Sequence, residues 1–394
     1  MKYLVVRNFG PVRDAEITIK AFNLFIGEQS IGKSTLAKLV TIFTDHVNLF
    51  ILKAVGSEVW TQIMETYDLS VYAGGDYHIR YTDDDLDGAQ VSIVIDKGAV
   101  ECHVQNEDKT ELDVPDSFKR IVGAKPMFHP DTVHKLEEME VNPETFPTYL
   151  SYMRNSLYIP AERIVGAQLN KLLPIISMGK EQLPMNMLRY LSELNNAKAR
   201  YSDLRLELLN VSYLKKDDED WIVLDNEEKI QLKYASSGIQ SALPLLLVLV
   251  YGAEGKDYSS FVVEEPECNL FPQKQVDLLK LMIKAIYQNN RMLTITTHSP
   301  YLLSSLNVLM LAHRLYQDES LKERVTKVVE PQYMLNADEV SVYFLGDKEH
   351  YCTSMMSDKT GMISVNQLDS ISEYVGEQFD QLYSMYVQSK RHQA

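Results

Sequence analysis

The sequence predicts an α/β fold that carries an antiparallel β segment and an inserted helical arm. First, a glycine loop ending at Lys33-Ser34 lies between an apolar run, 23–26, and a helix-compatible run, 36–43. Second, two later apolar runs, 259–263 and 292–297, have the length of buried strands. Residues 70–114 supply the antiparallel segment, because short runs rich in Val, Ile and Tyr alternate there with turn residues.

The glycine loop has the pattern of a phosphate-binding P-loop, G-x-x-x-x-G-K-S, written here as Gly27-Glu28-Gln29-Ser30-Ile31-Gly32-Lys33-Ser34. A strand, a glycine loop and a helix in this order direct backbone N–H groups and a helix N-terminus toward an anion. The alternative is an ordinary glycine turn followed by a surface lysine. The flanking strand and helix favour the P-loop.

The elements around the P-loop follow from local pattern. Residues 2–7 and 12–19 are predicted strands joined by a turn at Asn8-Phe9-Gly10-Pro11. The helix after the loop is expected to continue to about Leu52, because apolar residues recur at spacings of three and four. Further on, 206–211 and 222–232 are predicted to pair as a hairpin.

Composition limits the class of protein. The chain has 394 residues, is 45% hydrophobic and carries a formal net charge of −16, which argues against a broad basic surface for nucleic acid. Its three cysteines lie far apart and suggest neither a disulfide framework nor a metal cluster. No signal peptide is evident, and the longest apolar run, 243–251, is too short to span a bilayer. We therefore expect a cytoplasmic protein without a membrane partner.

A pair of carboxylates ends the apolar run at 259–263. Glu264 and Glu265 follow it directly, which is the Walker B arrangement when a P-loop is present. In that arrangement one acid holds Mg²⁺ and the next orients or deprotonates the attacking water. An apolar run ending in two glutamates is weak evidence alone, and the P-loop strengthens it.

Two further stretches have polar residues where a phosphate could be contacted. Ser236-Ser237-Gly238 precede a long apolar helix, although a simple Ser N-cap explains them equally well in isolation. His298 follows the apolar run 292–297 and is placed to sense a γ-phosphate, whereas a lone His is more often structural. Arg163 follows a short predicted strand, 156–160, and could face the nucleotide, a partner or a structural ion pair.

Together these motifs resemble the ABC-type ATPase heads of the SMC, RecF and OLD (overcoming-lysogenisation-defect) group. The resemblance covers residues 1–43 and 234–300, and is strongest to stand-alone prokaryotic AAA-type ATPases, several of which serve in anti-phage defence. The resemblance implies ATP and Mg²⁺ as ligands. Charged and apolar residues recur at helical spacing between the two matching parts, so we expect an N-terminal lobe, 1–128, an inserted helical arm, 129–204, and a C-terminal lobe, 205–394.

The resemblance assigns a role to each matching residue. Glu265, Lys33 and His298 would be catalytic, with Glu265 as the base and His298 as the switch. Ser34 and Glu264 would hold the metal. The nucleotide would be bound by the P-loop and, from the other subunit of a dimer, by the signature motif: Gly27, Gln29, Ser30, Gly32, Lys33, Ser34, Thr35, Ser237, Gly238 and Gln240.

The sequence also departs from the family pattern. Glu264 stands where the wider ABC class has Asp, and Ile239 replaces the usual second glycine of the signature. No Toprim nuclease motif is evident after His298. The complete ATP site, the helical arm and the lack of an evident effector domain favour an ATPase that forms a homodimer or higher homo-oligomer on ATP and gates a separate effector, such as a nuclease, in antiviral defence.

Two alternatives stay open. One is a RecF/SMC-like DNA-repair ATPase that binds DNA directly; a nucleic-acid partner is conceivable, although the charge does not indicate one. The other is a nucleotide-binding scaffold with little hydrolysis, for which Ile239 leaves room.

Overall fold

The structure is a computed structural model that describes residues 1–86, 89–112, 156–168, 183–217, 219–255, 258–346 and 350–364, and positions 378 and 382. A six-stranded sheet forms its centre, in the order β15-β14-β3-β13-β12-β7. Every neighbouring pair is parallel except β14 with β15. The strands are β3 (Phe22–Gly27), β7 (Ser156–Ile159), β12 (Ser260–Glu264), β13 (Met292–Thr297), β14 (Val340–Leu345) and β15 (Cys352–Ser354).

The predicted strands at 23–26, 259–263 and 292–297 are therefore confirmed, and they are neighbours in this sheet. They read as nearly continuous apolar runs because helices cover both faces of a parallel sheet. Since parallel strands end at the same edge, residues that follow them are brought together there.

A second sheet is antiparallel, with the order β2-β1-β4-β5-β6. Its strands are β1 (Lys2–Phe9), β2 (Val12–Ile19), β4 (His78–Leu86), β5 (Ala89–Asp96) and β6 (Ala99–Asn106). The alternation of buried and exposed residues along β5 is the pattern of a sheet with one face on the core. The α/β class with an antiparallel β segment is thus confirmed.

A third, four-stranded sheet has the order β11-β10-β9-β8, from β8 (Asp203–Leu206), β9 (Val211–Lys216), β10 (Glu219–Leu224) and β11 (Lys229–Gln231). A hairpin forms here as predicted, but its bounds were wrong: β10 pairs with β9, so that of 206–211 only Val211 takes part, opposite Leu224. The stretch 206–211 cannot extend as one strand: a single 3₁₀ turn, Glu207–Leu209, interrupts it, and Asn210 adopts a left-handed φ of 53°.

Helices cover both faces of the central sheet. The described helices are α1 (Lys33–Thr44), α2 (His46–Val55), α3 (Ser57–Thr66), α4 (Val165–Gln168), α5 (Met185–Arg200), α6 (Ser237–Glu254), α7 (Pro272–Ala285), α8 (Pro300–Tyr316) and α9 (Lys322–Thr326). Of these, α2 and α3 pack against β6 of the second sheet.

A continuous helix from the P-loop to Leu52 was a wrong prediction. The chain bends by 75° between α1 and α2. Asp45 is extended at this point, and its carboxylate accepts a hydrogen bond from the backbone N–H of Val47 at 3.0 Å. Asp45 therefore caps a new helix, which apolar periodicity alone does not reveal.

The long apolar helix α6 is a core helix. It is the one described helix that is long and apolar enough to cross a membrane, and 61% of it is buried inside the fold. Leu243, Leu245 and Leu247 are completely buried. Its apolar surface is therefore accounted for by packing within the protein.

The predicted arm, 129–204, falls largely outside the described residues. Two of its described parts belong to the body of the protein. Strand β7 is an edge strand of the central sheet, and helix α5 packs against α6. The boundaries at 128 and 204 stay a prediction.

Candidate functional site

The candidate site lies at the carboxyl edge of the central sheet. Four parallel neighbours, β3, β13, β12 and β7, end there. They deliver, in that order, the P-loop, His298, the pair Glu264-Glu265, and the segment that contains Arg163. Residues that are widely separated in sequence thus form one cluster, as expected for ligand sites of parallel α/β sheets.

The backbone of the P-loop requires its glycines. A Cβ on Gly27 would lie 2.2 Å from the carbonyl oxygen of Leu345. Gly32 has a φ of 107° and lies at the N-cap of α1, where a Cβ would come within 2.9 Å of the Tyr351 hydroxyl. The loop between them is open to solvent at Gln29 and Ser30, and Ser30 has a left-handed φ of 60°.

Lys33 is held inside this loop. Its ammonium donates hydrogen bonds to the carbonyl oxygens of Gly27, at 3.0 Å, and Glu28, at 2.6 Å. The side chain is only 5% exposed. Burial lowers the pKa of Lys33, and the carboxylates of Glu265, Glu267 and Glu264 oppose that shift. This cation therefore lies among the site carboxylates and is available to an anion that displaces the two carbonyls.

Glu264 has the environment of a metal ligand. It is 4% exposed, and burial raises its pKa, while hydrogen bonds from the Tyr158 and Ser34 hydroxyls act in the opposite direction. Its Oε1 is buried without a hydrogen-bond partner among the described residues. An orphaned carboxylate oxygen beside the Ser34 hydroxyl fits Mg²⁺, which takes one or two protein oxygens and completes its shell with phosphates and water.

The next residue, Glu265, contacts a histidine and a cysteine. His298 Nε2 lies 3.1 Å from Glu265 Oε1, and the Cys268 thiol donates to Oε2 at 3.3 Å. The Glu265 side chain remains 31% exposed, so solvent reaches it. A carboxylate with one solvent-facing side and a fixed orientation is suited to general base catalysis.

A third carboxylate, Glu267, orients the histidine. Its Oε1 accepts hydrogen bonds from the Thr297 hydroxyl at 2.5 Å and from the backbone N–H of His298 at 2.8 Å. The hydroxyl of the next residue, Ser299, donates to Gln275 Oε1 at 2.6 Å. The turn after β13 is thus fixed by side chains of the segment that follows β12.

Sequence reasoning missed three contributors, Tyr158, Glu267 and Tyr351. The Tyr351 hydroxyl lies in hydrogen-bonding contact with the backbone oxygens of Ile31 and Pro11, so a residue near the C-terminus supports the P-loop. The only local signal for Glu267 is its position two residues after Glu265. Nothing local marks Tyr158 or Tyr351, because their contacts are made by the folded sheet.

The proposed signature residues lie at the start of α6. Ser237 is exposed, and a Cβ on Gly238 would be 2.8 Å from the carbonyl oxygen of Asn269, in the loop after the glutamates. Gln240 is 8% exposed and its amide donates to the carbonyls of Lys233 and Ala235. It therefore shapes the turn before α6, and of the three residues of the predicted signature only Ser237 is exposed.

Comparison with solved structures gives low sequence identity over most of the chain. The SmcHead bound to the C-winged helix domain of ScpA shows 11% identity and a TM-score of 0.45, covering 91% of this chain and 98% of that one. The SMC head domain from Thermotoga maritima shows 14% identity and a TM-score of 0.38, covering 77% and 90%.

A third comparison is with the Smc head domain with an extended coiled coil bound to the C-terminal domain of ScpA, derived from Pyrococcus furiosus. It gives 10% identity and a TM-score of 0.41, covering 95% of this chain and 100% of that one. A search of curated proteins gave no match.

A family model described as an AAA ATPase domain matches residues 1–148 and 162–303. The match covers more than half of the chain and includes the P-loop, both glutamates after β12 and His298. The site described above therefore lies within the matched region, and this protein belongs to the AAA ATPase domain family.

Proposed function

We propose that this protein hydrolyses ATP at the carboxyl edge of the central sheet and uses the cycle to dimerise and to control a separate effector. The observation that carries the proposal is the contact of Glu265 with His298 beside a P-loop lysine. A base, an orienting histidine and a phosphate-binding cation are the parts that phosphoryl transfer to water requires.

In this mechanism Lys33 moves from the Gly27 and Glu28 carbonyls to the phosphates of ATP. The N–H groups of the P-loop and the N-terminus of α1 bind the same phosphates. A Mg²⁺ held by Glu264 and Ser34 would neutralise phosphate charge when bound. Positioning and charge stabilisation dominate the rate in such reactions.

Glu265 acts on the attacking water. Its carboxylate accepts a proton from the water as the oxygen approaches the γ-phosphorus in line with the leaving group. His298 fixes one carboxylate oxygen of Glu265, and Cys268 fixes the other. His298 also serves as the sensor of the γ-phosphate, because it lies in the turn between β13 and α8 and contacts Glu265.

Dimerisation follows from the location of the signature. Ser237 is exposed at the N-terminus of α6, where the Ser236 side chain makes no capping hydrogen bond. Free backbone N–H groups and a serine hydroxyl can bind the phosphate of a nucleotide held by a second copy. Exposed Tyr234 and Phe271 flank this helix end and supply apolar contact area for that copy.

The effector assignment rests on the family resemblance and on charge. With a net charge of −16 the chain is poorly suited to bind nucleic acid broadly. Within the described residues, no group of three or more His, Cys, Asp and Glu is arranged as a metal centre. We propose that nuclease activity belongs to a partner, in a cytoplasmic antiviral system.

The test of ATP-dependent dimerisation uses Glu265→Gln, a variant expected to bind ATP and hydrolyse it slowly. With saturating ATP and Mg²⁺, light scattering should show a dimer or a larger even oligomer, whereas the protein without nucleotide should be smaller. Adding Ser237→Arg to the same chain should prevent assembly and leave ATP binding intact, because Ser237 contacts the partner's nucleotide. A Glu265→Gln protein that binds ATP but stays monomeric would contradict the dimer.

A further inference from the structure

Arg163 is a fully buried cation whose hydrogen bonds to the described residues all go to backbone carbonyls. Its guanidinium donates to the carbonyl oxygen of Glu264 at 2.8 Å, to that of Glu265 at 2.6 Å and to that of Pro160 at 3.2 Å. Its exposed fraction is 0%. Among the described residues no carboxylate forms a salt bridge with it, so the structural ion pair considered from the sequence is not formed within this part of the chain.

A buried guanidinium without a carboxylate partner contributes little net stability to a fold. Removing a charge from water costs more than backbone hydrogen bonds usually return, and an apolar side chain would fill the space more favourably. The Nε of Arg163 is also buried, and no described residue accepts a hydrogen bond from it. Because its burial is unfavourable, the presence of Arg163 is better explained by the particular carbonyls to which it donates hydrogen bonds.

Those carbonyls belong to the most unusual backbone of the site. Glu265 has a φ of 40°, in the left-handed region that residues other than glycine rarely adopt. It also precedes Pro266, and a residue before proline favours extended backbone. Such a conformation persists only where surrounding contacts enforce it.

The enforcing contacts come from both neighbouring strands. On one side the N–H of Glu265 donates to the carbonyl oxygen of Thr296 in β13, at 2.9 Å. On the other side Arg163, in the turn that follows β7, donates to the carbonyls of Glu264 and Glu265. The planar fork of a guanidinium spans two adjacent acceptors, which a lysine ammonium does not do with the same geometry.

We propose that Arg163 is a positioning residue for ATP hydrolysis: it holds the backbone of Glu265 in the conformation that directs its carboxylate to His298. The inference rests on the proposed function, because it gives Arg163 its effect through the catalytic base. The proposal predicts a defect in turnover and not in ATP binding, because none of the described hydrogen bonds of Arg163 goes to the P-loop.

The experiment compares Arg163→Lys and Arg163→Met with a matched control, Arg291→Met. Arg291 also donates to two carbonyls, those of Gly252 and Gly255, but its neighbours lie at the opposite edge of the sheet. The Arg163 variants should lower kcat by about 100-fold with KM for ATP within about threefold. Arg291→Met should keep kcat within about twofold of wild type, whatever its loss of stability.

A double-mutant cycle separates positioning from general destabilisation. Rates are referred to the concentration of ATP-binding sites, so that unfolded protein does not count, and Arg163→Lys is used if Arg163→Met does not fold. In the Glu265→Gln background either Arg163 variant should cause no further loss beyond about twofold. The inference is overturned if kcat is unchanged in the single variant or falls equally in both backgrounds. Failure of the proposed function would instead appear as wild-type protein without hydrolysis.

Discussion

His298 Nε2 lies 3.1 Å from Glu265 Oε1, across the ends of two adjacent parallel strands. The residues are separated by 33 positions in sequence, and their side chains are 29% and 31% exposed. Glu267 fixes the backbone of His298 by accepting a hydrogen bond from its N–H. The carboxylate and the imidazole are therefore one preorganised unit that remains accessible to water.

Replacing His298 should reduce turnover more than affinity. We expect His298→Ala to lower kcat by about 10²-fold, because Glu265 loses the group that orients it, with KM for ATP little changed. His298→Gln keeps a donor and should lose less. The matched control is His313→Ala on α8, which should behave as wild type in the same steady-state phosphate-release assay. Equal kcat values for His298→Ala and wild type would contradict the view that His298 orients Glu265.

Glu264 should link stability to pH and to Mg²⁺. Burial raises its pKa, so the protonated form is favoured by folding. This stabilising contribution is complete below the ordinary carboxyl pKa and is lost as pH rises through the raised value. At pH 7 to 8, Glu264→Gln should therefore raise Tm of the nucleotide-free protein relative to wild type.

The same variant should lose the metal response. Wild-type Tm in the presence of ATP is expected to rise on Mg²⁺ addition, because binding to the folded state stabilises it. Glu264→Gln should lose most of that increase. Thermal unfolding across pH, with and without Mg²⁺, measures both effects. A variant that is less stable than wild type at pH 8 and still responds fully to Mg²⁺ would refute the assignment.

The P-loop should not tolerate a methyl group at Gly27. Its Cβ would meet the Leu345 carbonyl oxygen at 2.2 Å, and backbone cannot move aside cheaply. Gly27→Ala should cost at least about 2 kcal/mol of stability and abolish ATP binding. Gly56→Ala is the control, because Gly56 has a φ of 74° with nothing within 4 Å. It should cost about 1 kcal/mol through backbone strain alone and keep ATP binding, as measured by chemical denaturation and calorimetry.

The Cys268 thiol should be inert in the native protein. Burial, together with its hydrogen bond to Glu265, raises its pKa to about 12. At pH 8 only about 10⁻⁴ of the thiol is ionised, and the thiolate is the reactive form. Labelling of Cys268 in the native protein with a thiol reagent should be slow at pH 8 and faster toward pH 10. The labelling rate of the same cysteine in the denatured chain is the reference. Rapid native labelling of Cys268 at pH 8 would show that the contact is absent.

Local pattern was sufficient to predict the strands and motifs of the site. The P-loop, Glu264-Glu265 and His298 each follow a contiguous apolar run, and such runs are strong signals of buried strands. Their convergence also follows from the sequence, because parallel strands end at one edge. The antiparallel segment was recognisable from its alternation.

One local helix cap and the contacts made between distant segments were not predicted. The break at Asp45 depends on a single capping side chain within an apolar periodic run. Tyr351 supports the P-loop from more than three hundred residues away. Arg163 was noticed by its place after a strand, but its partners are carbonyls, and no sequence pattern encodes which carbonyls a buried guanidinium will bind.

The most direct test of the central claim is the steady-state rate of phosphate release from ATP by wild type and by Glu265→Gln, at saturating ATP and Mg²⁺. The account predicts measurable turnover in wild type and a loss of about 10²-fold or more in Glu265→Gln, with ATP affinity retained. Equal rates in the two proteins would contradict the assignment of Glu265 as the catalytic base.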